Sequence, residues 1–180
     1  MRLYPAHSYS NMKTIVTFIL TFFSIAIASG QGMTLEEARK VYSESMKDNA
    51  TCEAAYTKIS QVDYYNNSLL MAYKAAITIA MSKYLKTTKE KIAYFNRGKL
   101  LLESTITKDD HNVELKFIRY SIQSNCPAAL KYTKNKVTDR AYIIENLASV
   151  KNPSIRTSIK GYFLQSKDIS AEEKQKLNGF

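Results

Sequence analysis

One segment of this chain is apolar on almost every side of the helix that it predicts. Residues 69–85 (LLMAYKAAITIAMSKYL) contain no glycine or proline, and only four of the seventeen are Lys, Ser or Thr. A helix that is apolar nearly all round is stable when other helices surround it. The segment therefore predicts the central helix of a helical bundle.

The rest of the chain also carries helical spacing, without a sustained alternation of apolar and polar residues. Three capping-box patterns predict helix starts: Thr34 with Glu37, Thr87 with Glu90, and Ser170 with Glu173. Asn112 is expected to cap a further helix. Five glycines and three prolines leave few breaks. We expect a single all-α domain over residues 31–180, a bundle of about seven helices.

Gly98 lies inside one predicted helix, where glycine is destabilising by roughly 0.5–1 kcal/mol relative to alanine. Gly98, Leu102, Thr105 and Asp110 have the spacing of the second helix of a tetratricopeptide repeat. The proline of that repeat is replaced by Asp110, and its first-helix signature is absent. The pattern predicts a tetratricopeptide-like helix pair, with a neighbouring helix packed closely against Gly98.

The N-terminal region has the layout of a secretory signal peptide. Lys13 precedes an uncharged apolar run at residues 15–28, which ends in the small-residue pattern Ala26-Ile27-Ala28. Translation starts at Met12, or the charged region is unusually long. We expect residues 1–30 to be removed by cleavage after Ala28 or Gly30. The run is short for a bilayer span, so no membrane span is expected afterwards.

The expected destination is the periplasm or the exterior, and this narrows the interpretation of the charge. The chain carries 26 basic and 16 acidic residues, a net charge of +10. Without Arg2 and Lys13, 24 basic residues remain against 16 acidic ones. An exported protein meets little nucleic acid, so we expect no nucleic-acid partner. The excess predicts a solvated surface; attraction to acidic glycans, lipid headgroups or peptides is the alternative.

Cys52 and Cys126 both fall near predicted helix starts. An oxidising compartment permits a disulfide between them. The alternative is two buried thiols, because free cysteine is among the most buried residue types.

Three runs in the middle of the chain support a resemblance: AYKAA at 72–76, YFNRGKLL at 94–101 and NVELKFIR at 112–119. They are followed by IQSN at 122–125, Leu130-Lys131-Tyr132 and Asp139. Over residues 70–145 the chain resembles a group of small exported helical proteins from Bacteroidota that has no known activity. The resemblance implies a bacterial envelope or secreted location and a mature chain that begins at Gln31.

Catalytic chemistry is not indicated. His111, beside Asp109 and Asp110, lies in a predicted turn, where such residues are ordinary turn and cap residues. After removal of residues 1–30, one histidine and two distant cysteines remain, and they do not supply a metal site. No phosphate-binding glycine loop, dinucleotide fingerprint or nucleophile elbow is present, so we expect neither a cofactor nor an enzyme.

A binding surface is the better functional candidate. On one predicted helix Asn96, Lys99 and Glu103 share a face; Arg119 and Gln123 lie one turn apart on the next. If these helices pack antiparallel, the five side chains line one polar seam that could hold an extended peptide. The alternative is surface ion pairs of little energetic value. Tyr64-Tyr65 is a second candidate surface, with burial against the central helix as its alternative.

The sequence thus predicts a non-catalytic module of the bacterial envelope that binds a protein or peptide. The alternative is a small-ligand or glycan-binding protein of the same compartment, or a hydrolase whose site was not detected. An open groove lined by Asn96, Arg119 and Gln123 would favour a peptide; a closed apolar pocket would favour a small ligand.

Overall fold

Helices are the only regular elements in the part of the chain that the structure describes. The structure is a computed structural model, and it describes residues 33–61, 64 and 66–180. Its α-helices are α1 (Leu35–Ser45), α2 (Asn49–Ser60), α3 (Ser68–Met81), α4 (Thr88–Lys108), α5 (Val113–Asn125), α6 (Lys136–Asn146), α7 (Pro153–Gln165) and α8 (Ala171–Asn178). Two short 3-10 helices lie at Ala128–Leu130 and Leu147–Ser149. The all-α prediction is confirmed; the predicted signal peptide lies outside the described residues.

Helices begin at the four positions where the sequence predicts caps, which are Thr34, Thr87, Asn112 and Ser170. The capping boxes at Thr87 with Glu90 and at Ser170 with Glu173 are complete. Asn112 accepts hydrogen bonds from two backbone N–H groups at the start of α5. The predicted box at Thr34 is only half formed. Thr34 accepts from the N–H of Glu37, but the Glu37 carboxylate pairs with Lys58 of α2 instead of returning to the cap.

Helix α3 occupies the centre of the bundle and contacts α1, α2, α4 and α5. The central-helix prediction is confirmed, although the helix ends at Met81 rather than at Leu85. The Ser82 hydroxyl donates to the Ile79 carbonyl at 2.6 Å, and successive i,i+3 bonds tighten the chain into a turn. Serine competes for backbone acceptors in this way at helix ends.

Helices α3 and α4 approach each other closely at Gly98. A Cβ atom at this position would lie 2.6 Å from the Ala75 carbonyl oxygen and 2.6 Å from the Ile79 Cγ1 atom. Leu102 and Thr105, on the same face of α4, are both buried. The predicted close packing at Gly98 is therefore confirmed.

Helix α5 is covered on two sides, because it contributes to two apolar clusters. Leu115, Ile118 and Ile122 belong to a cluster built mainly from α1 to α4. Tyr120 belongs to the other, built mainly from α6 to α8, where its ring centroid lies 5.0 Å from that of Phe163. A helix between two clusters has little polar face left for solvent, and this decides where its charged residues lie.

Candidate functional site around Arg119

Arg119, one of the five predicted seam residues, lies inside the protein with 6% of its surface exposed. Its Nε and Nη2 atoms donate to the two carboxylate oxygens of Asp139, at 2.7 and 2.8 Å. Its Nη1 atom donates to Glu103 of α4 at 2.7 Å. Asp139 stands in the first turn of α6 and is 1% exposed. One guanidinium thus joins three helices.

Burial by itself would lower the pKa of Arg119, because it disfavours the charged form. The hydrogen bonds and negative charge of Asp139, with Glu103 added, outweigh burial and raise this pKa above its usual value. The guanidinium is therefore charged at every physiological pH. Three of its five N–H donors are bound to carboxylates and only a small part of the residue is exposed, so Arg119 offers little to an external anion.

Tyr132 extends the cluster from the turn that precedes α6. Its hydroxyl donates to Glu103 at 2.5 Å, and the Lys99 ammonium lies 5.0 Å from its ring centroid. Burial, followed by the hydrogen bond to Glu103, raises the pKa of Tyr132 above its usual value. Gln123 is buried near the same phenol. The cluster therefore holds four of the five predicted seam residues.

The five residues do not line an open groove. Arg119 and Gln123 are buried, whereas Asn96 is exposed on the outer side of α4. The alternative of surface ion pairs is wrong for Arg119, because its partner Asp139 is buried with it. Sequence reasoning missed Asp139 and Tyr132 as members of the cluster. A carboxylate at a helix start and an aromatic residue in a turn are the only local signals that these two residues give.

A second cluster of the same chemistry lies at the start of α5 and was not predicted. Arg39 of α1 donates to both oxygens of the buried Glu114 carboxylate, at 2.8 and 2.6 Å. Tyr73 of α3 donates to Glu114 at 2.8 Å. Burial, then the Glu114 charge, raises the pKa of Tyr73. Both clusters tie α5 to helices from other parts of the chain.

The other residues that the sequence singled out, His111 and Tyr64-Tyr65, do not form a functional site in the described residues. The His111 side chain is exposed in the turn between α4 and α5 and lies 3.4 Å from an Asp110 oxygen. Tyr64 is buried, and its hydroxyl accepts from the backbone N–H of Met33 at 3.1 Å, so burial rather than a free aromatic surface describes it. Tyr65 lies outside the described residues.

Both cysteines are free thiols in the structure, so the alternative without a disulfide describes them. Cys52 is fully buried, and burial raises the pKa of its thiol to about 11. Cys126 is half-buried at the end of α5. Its Sγ atom lies 3.5 Å from the Tyr132 carbonyl oxygen.

An exposed face remains on α4, above the buried cluster. Leu100, in the middle of this 21-residue helix, exposes 73% of its surface. Asn96, Lys99 and Glu103 surround it at helical spacing; Asn96 is exposed and the other two are partly so. We call these four residues the α4 face.

The described residues also contain a shallow depression, open to solvent, along α2. It is lined by Ala50, Glu53, Ala54, Thr57, Lys58 and Gln61.

Among all the residues that the structure describes, no three His, Cys, Asp or Glu side chains are grouped to hold a metal ion. No helix among them has the length and apolarity needed to cross a membrane.

Comparisons with protein-family models, with curated proteins and with solved structures find no significant match.

Proposed function

We propose that the chain is an exported, non-catalytic module of the bacterial cell envelope, and that it binds a protein or peptide through the α4 face. The exposure of Leu100 carries the proposal. Export rests on the leader pattern of residues 12–31, in which a lysine precedes an apolar run and a small-residue cleavage site.

The α4 face has the composition of a small interface. Binding energy in protein interfaces concentrates in a few apolar or aromatic residues within a polar rim. Leu100 is the apolar residue here. Asn96 and Lys99 supply hydrogen-bond donors next to it, and Glu103 supplies an acceptor.

The buried cluster gives this face its rigidity. The Lys99 ammonium forms a cation–π contact with the Tyr132 ring. The Tyr132 hydroxyl donates to Glu103, which also accepts from Arg119. Two of the rim residues are thereby held in one conformation before a partner arrives. Side chains that are already ordered lose less entropy on binding.

The form of the surface favours a polypeptide over a small molecule. Small ligands are bound in concave sites that cover most of their surface. The α4 face is the outer side of a helix, which suits a partner segment laid along it. A second helix or an extended strand could place an apolar side chain on Leu100.

The interaction is tested by photo-crosslinking in envelope preparations, with a benzophenone amino acid placed at position 97, beside the face. The parent chain is expected to give a discrete crosslinked partner, identified by mass spectrometry, and Leu100→Asp to lose it. Val137→Asp is the matched control, because Val137 is 68% exposed on α6. Equal crosslinking by the parent and Leu100→Asp would refute the α4 face as the binding surface.

Export is tested separately by the intact mass of the protein recovered from cells. The expected N-terminus is Ser29 or Gln31, and the protein is expected outside the cytoplasm. A cytoplasmic protein that retains residues 15–28 would contradict export.

A further inference from the structure

Two helix-to-helix turns that are distant in sequence meet at one end of the bundle. The turn between α1 and α2 contains Met46 and Lys47; the segment between α3 and α4 contains Lys83, Tyr84 and Lys86. The Tyr84 hydroxyl donates to the Met46 carbonyl at 3.4 Å. Residues 38 positions apart thus form one surface.

This surface is strongly basic. Five lysines in and beside the two turns are exposed: Lys47, Lys83, Lys86, Lys89 and Lys91. None of the five forms an ion pair with a carboxylate of the described residues. We call these five lysines, with Met46 and Ile92, the lysine end.

Two carboxylates beside these turns, those of Asp48 and Glu90, are engaged in helix caps. Asp48 accepts from the N–H and the hydroxyl of Thr51. Glu90 accepts from the N–H and the hydroxyl of Thr87. Both carboxylates also attract a neighbouring lysine, Asp48 attracting Lys47 and Glu90 attracting Lys86, so the five lysines outnumber the two capping carboxylates.

The arrangement of the lysines does not serve the stability of α4. Lys89 and Lys91 stand in its first turn, where the positive end of the helix dipole disfavours cations. Lys86 lies just before that turn. Lys47 and Lys83 instead follow the C-terminal ends of α1 and α3, where the helix dipole favours cations. The lysines at the start of α4, where the dipole disfavours them, point to a negatively charged partner.

Apolar side chains are exposed in the same segments as these lysines. Met46 and Ile92 expose 46% and 45% of their surface. Tyr84 and Leu85 are half-buried, and the Lys83 ammonium lies 5.1 Å from the centroid of the Tyr84 ring. Lysine combined with exposed apolar and aromatic side chains is typical of surfaces that lie in a membrane interface.

We propose that the lysine end docks this protein peripherally on a membrane that contains anionic phospholipids. The lysines contact the headgroups, and Met46 and Ile92 enter the boundary with the acyl chains. A nucleic acid or an acidic polysaccharide would satisfy the charges but would leave the two apolar side chains in water. The proposal concerns a different surface from the α4 face and does not depend on the proposed function.

The test is co-sedimentation of the full chain with vesicles of phosphatidylcholine, with and without phosphatidylglycerol. We expect stronger binding to the anionic vesicles than to the neutral ones, and we expect salt to weaken this preference because Coulombic attraction is screened. A membrane-bound lysine contributes roughly a fivefold increase in partitioning, so Lys83→Gln/Lys86→Gln/Lys89→Gln is expected to weaken binding at least tenfold.

The matched control removes three exposed lysines elsewhere, as Lys134→Gln/Lys167→Gln/Lys174→Gln. Its net charge equals that of the lysine-end variant, and its binding is expected to stay within twofold of the parent. Ile92→Ser is expected to weaken binding, whereas Val137→Ser is not. The leader region is the same in every variant, and circular dichroism melts show that each variant is folded.

Three results would overturn the proposal. Equal weakening by the two triple variants would show that the diffuse charge of the protein, rather than the lysine end, attracts the membrane. Equal binding to neutral vesicles would remove the role of the headgroups. Binding to heparin or to an acidic peptide without any binding to anionic vesicles would assign the lysine end to an acidic polymer instead.

Discussion

Arg119 and Asp139 form a two-bond ion pair between α5 and α6, and both side chains are almost completely withdrawn from water. Taking two charges out of water is costly, and their mutual attraction offsets that cost only when the geometry is good. The intact pair therefore adds little net stability. Removal of one partner is different, because it leaves a buried charge without compensation.

Arg119→Met is expected to lower the free energy of unfolding by about 3–5 kcal/mol, since it strands the Asp139 carboxylate. Urea unfolding followed by far-UV circular dichroism measures the change. Arg119→Met/Asp139→Leu is expected to recover part of the loss, because the unpaired charge is gone. The exposed Lys134 provides the control, with Lys134→Met expected within about 0.5 kcal/mol of the parent. A loss below 1 kcal/mol in Arg119→Met would contradict a buried, uncompensated Asp139.

The helices were predictable because their signals are local. A capping box at Thr87 and Glu90 spans three residues, and the apolar run of α3 marks a helix that needs neighbours on all sides. Gly98 predicted a close helix contact because glycine inside a helix is otherwise unfavourable. Such signals act within one or two turns and are readable without knowledge of the packing.

The candidate site was only partly predictable because its contacts are long-range. Glu103 and Arg119 were brought together by the assumption that their two helices pack antiparallel, but Asp139 lies 20 residues beyond Arg119 and joins only when α6 packs on α5. The same holds for Arg39 and Glu114, which are 75 residues apart. The sequence shows that α5 has a polar face and does not show that another helix covers it.

Replacement of glycine by alanine is expected to have opposite effects on stability at Gly98 and at Gly161. Gly98→Ala places a Cβ atom 2.6 Å from a backbone oxygen of α3, and we expect it to destabilise the protein by about 1–3 kcal/mol. Gly161 lies inside α7 with nothing within 4 Å of an added Cβ. Gly161→Ala is therefore expected to stabilise by about 0.5–1 kcal/mol through helix propensity. Thermal and urea unfolding of the two variants measure the change in the free energy of unfolding. Stabilisation by Gly98→Ala would refute the close contact.

The two cysteines are expected to differ in reactivity. The thiolate is the reactive form, and Cys52 is both fully buried and shifted to a pKa of about 11. Iodoacetamide without reductant is expected to label Cys126 in the folded protein and to label Cys52 only after unfolding in urea. Peptide mapping by mass spectrometry identifies the sites, and Cys126→Ser serves as the control that takes no label when folded. Absence of labelling after unfolding would instead demonstrate a disulfide.

Two buried phenols make the stability of the protein sensitive to high pH. The Tyr73 hydroxyl donates to Glu114, and the Tyr132 hydroxyl donates to Glu103. Burial, with the nearby carboxylate, raises the pKa of both groups in the folded protein. An ionised phenol would lose its proton and face a second negative charge.

Stability supplied by a raised pKa is fully present below the unfolded-state value, about 10 for tyrosine, and is lost as the pH rises above it. We therefore expect the free energy of unfolding to fall above about pH 10, because the pKa of these two phenols is higher in the folded chain than in the unfolded chain. Tyr73→Phe/Tyr132→Phe loses two hydrogen bonds, so it is less stable than the parent at neutral pH. Its stability is expected to depend less on pH in the alkaline range. Urea unfolding at several pH values measures both curves, and a constant difference between them would show that these phenols are not the alkaline-sensitive groups.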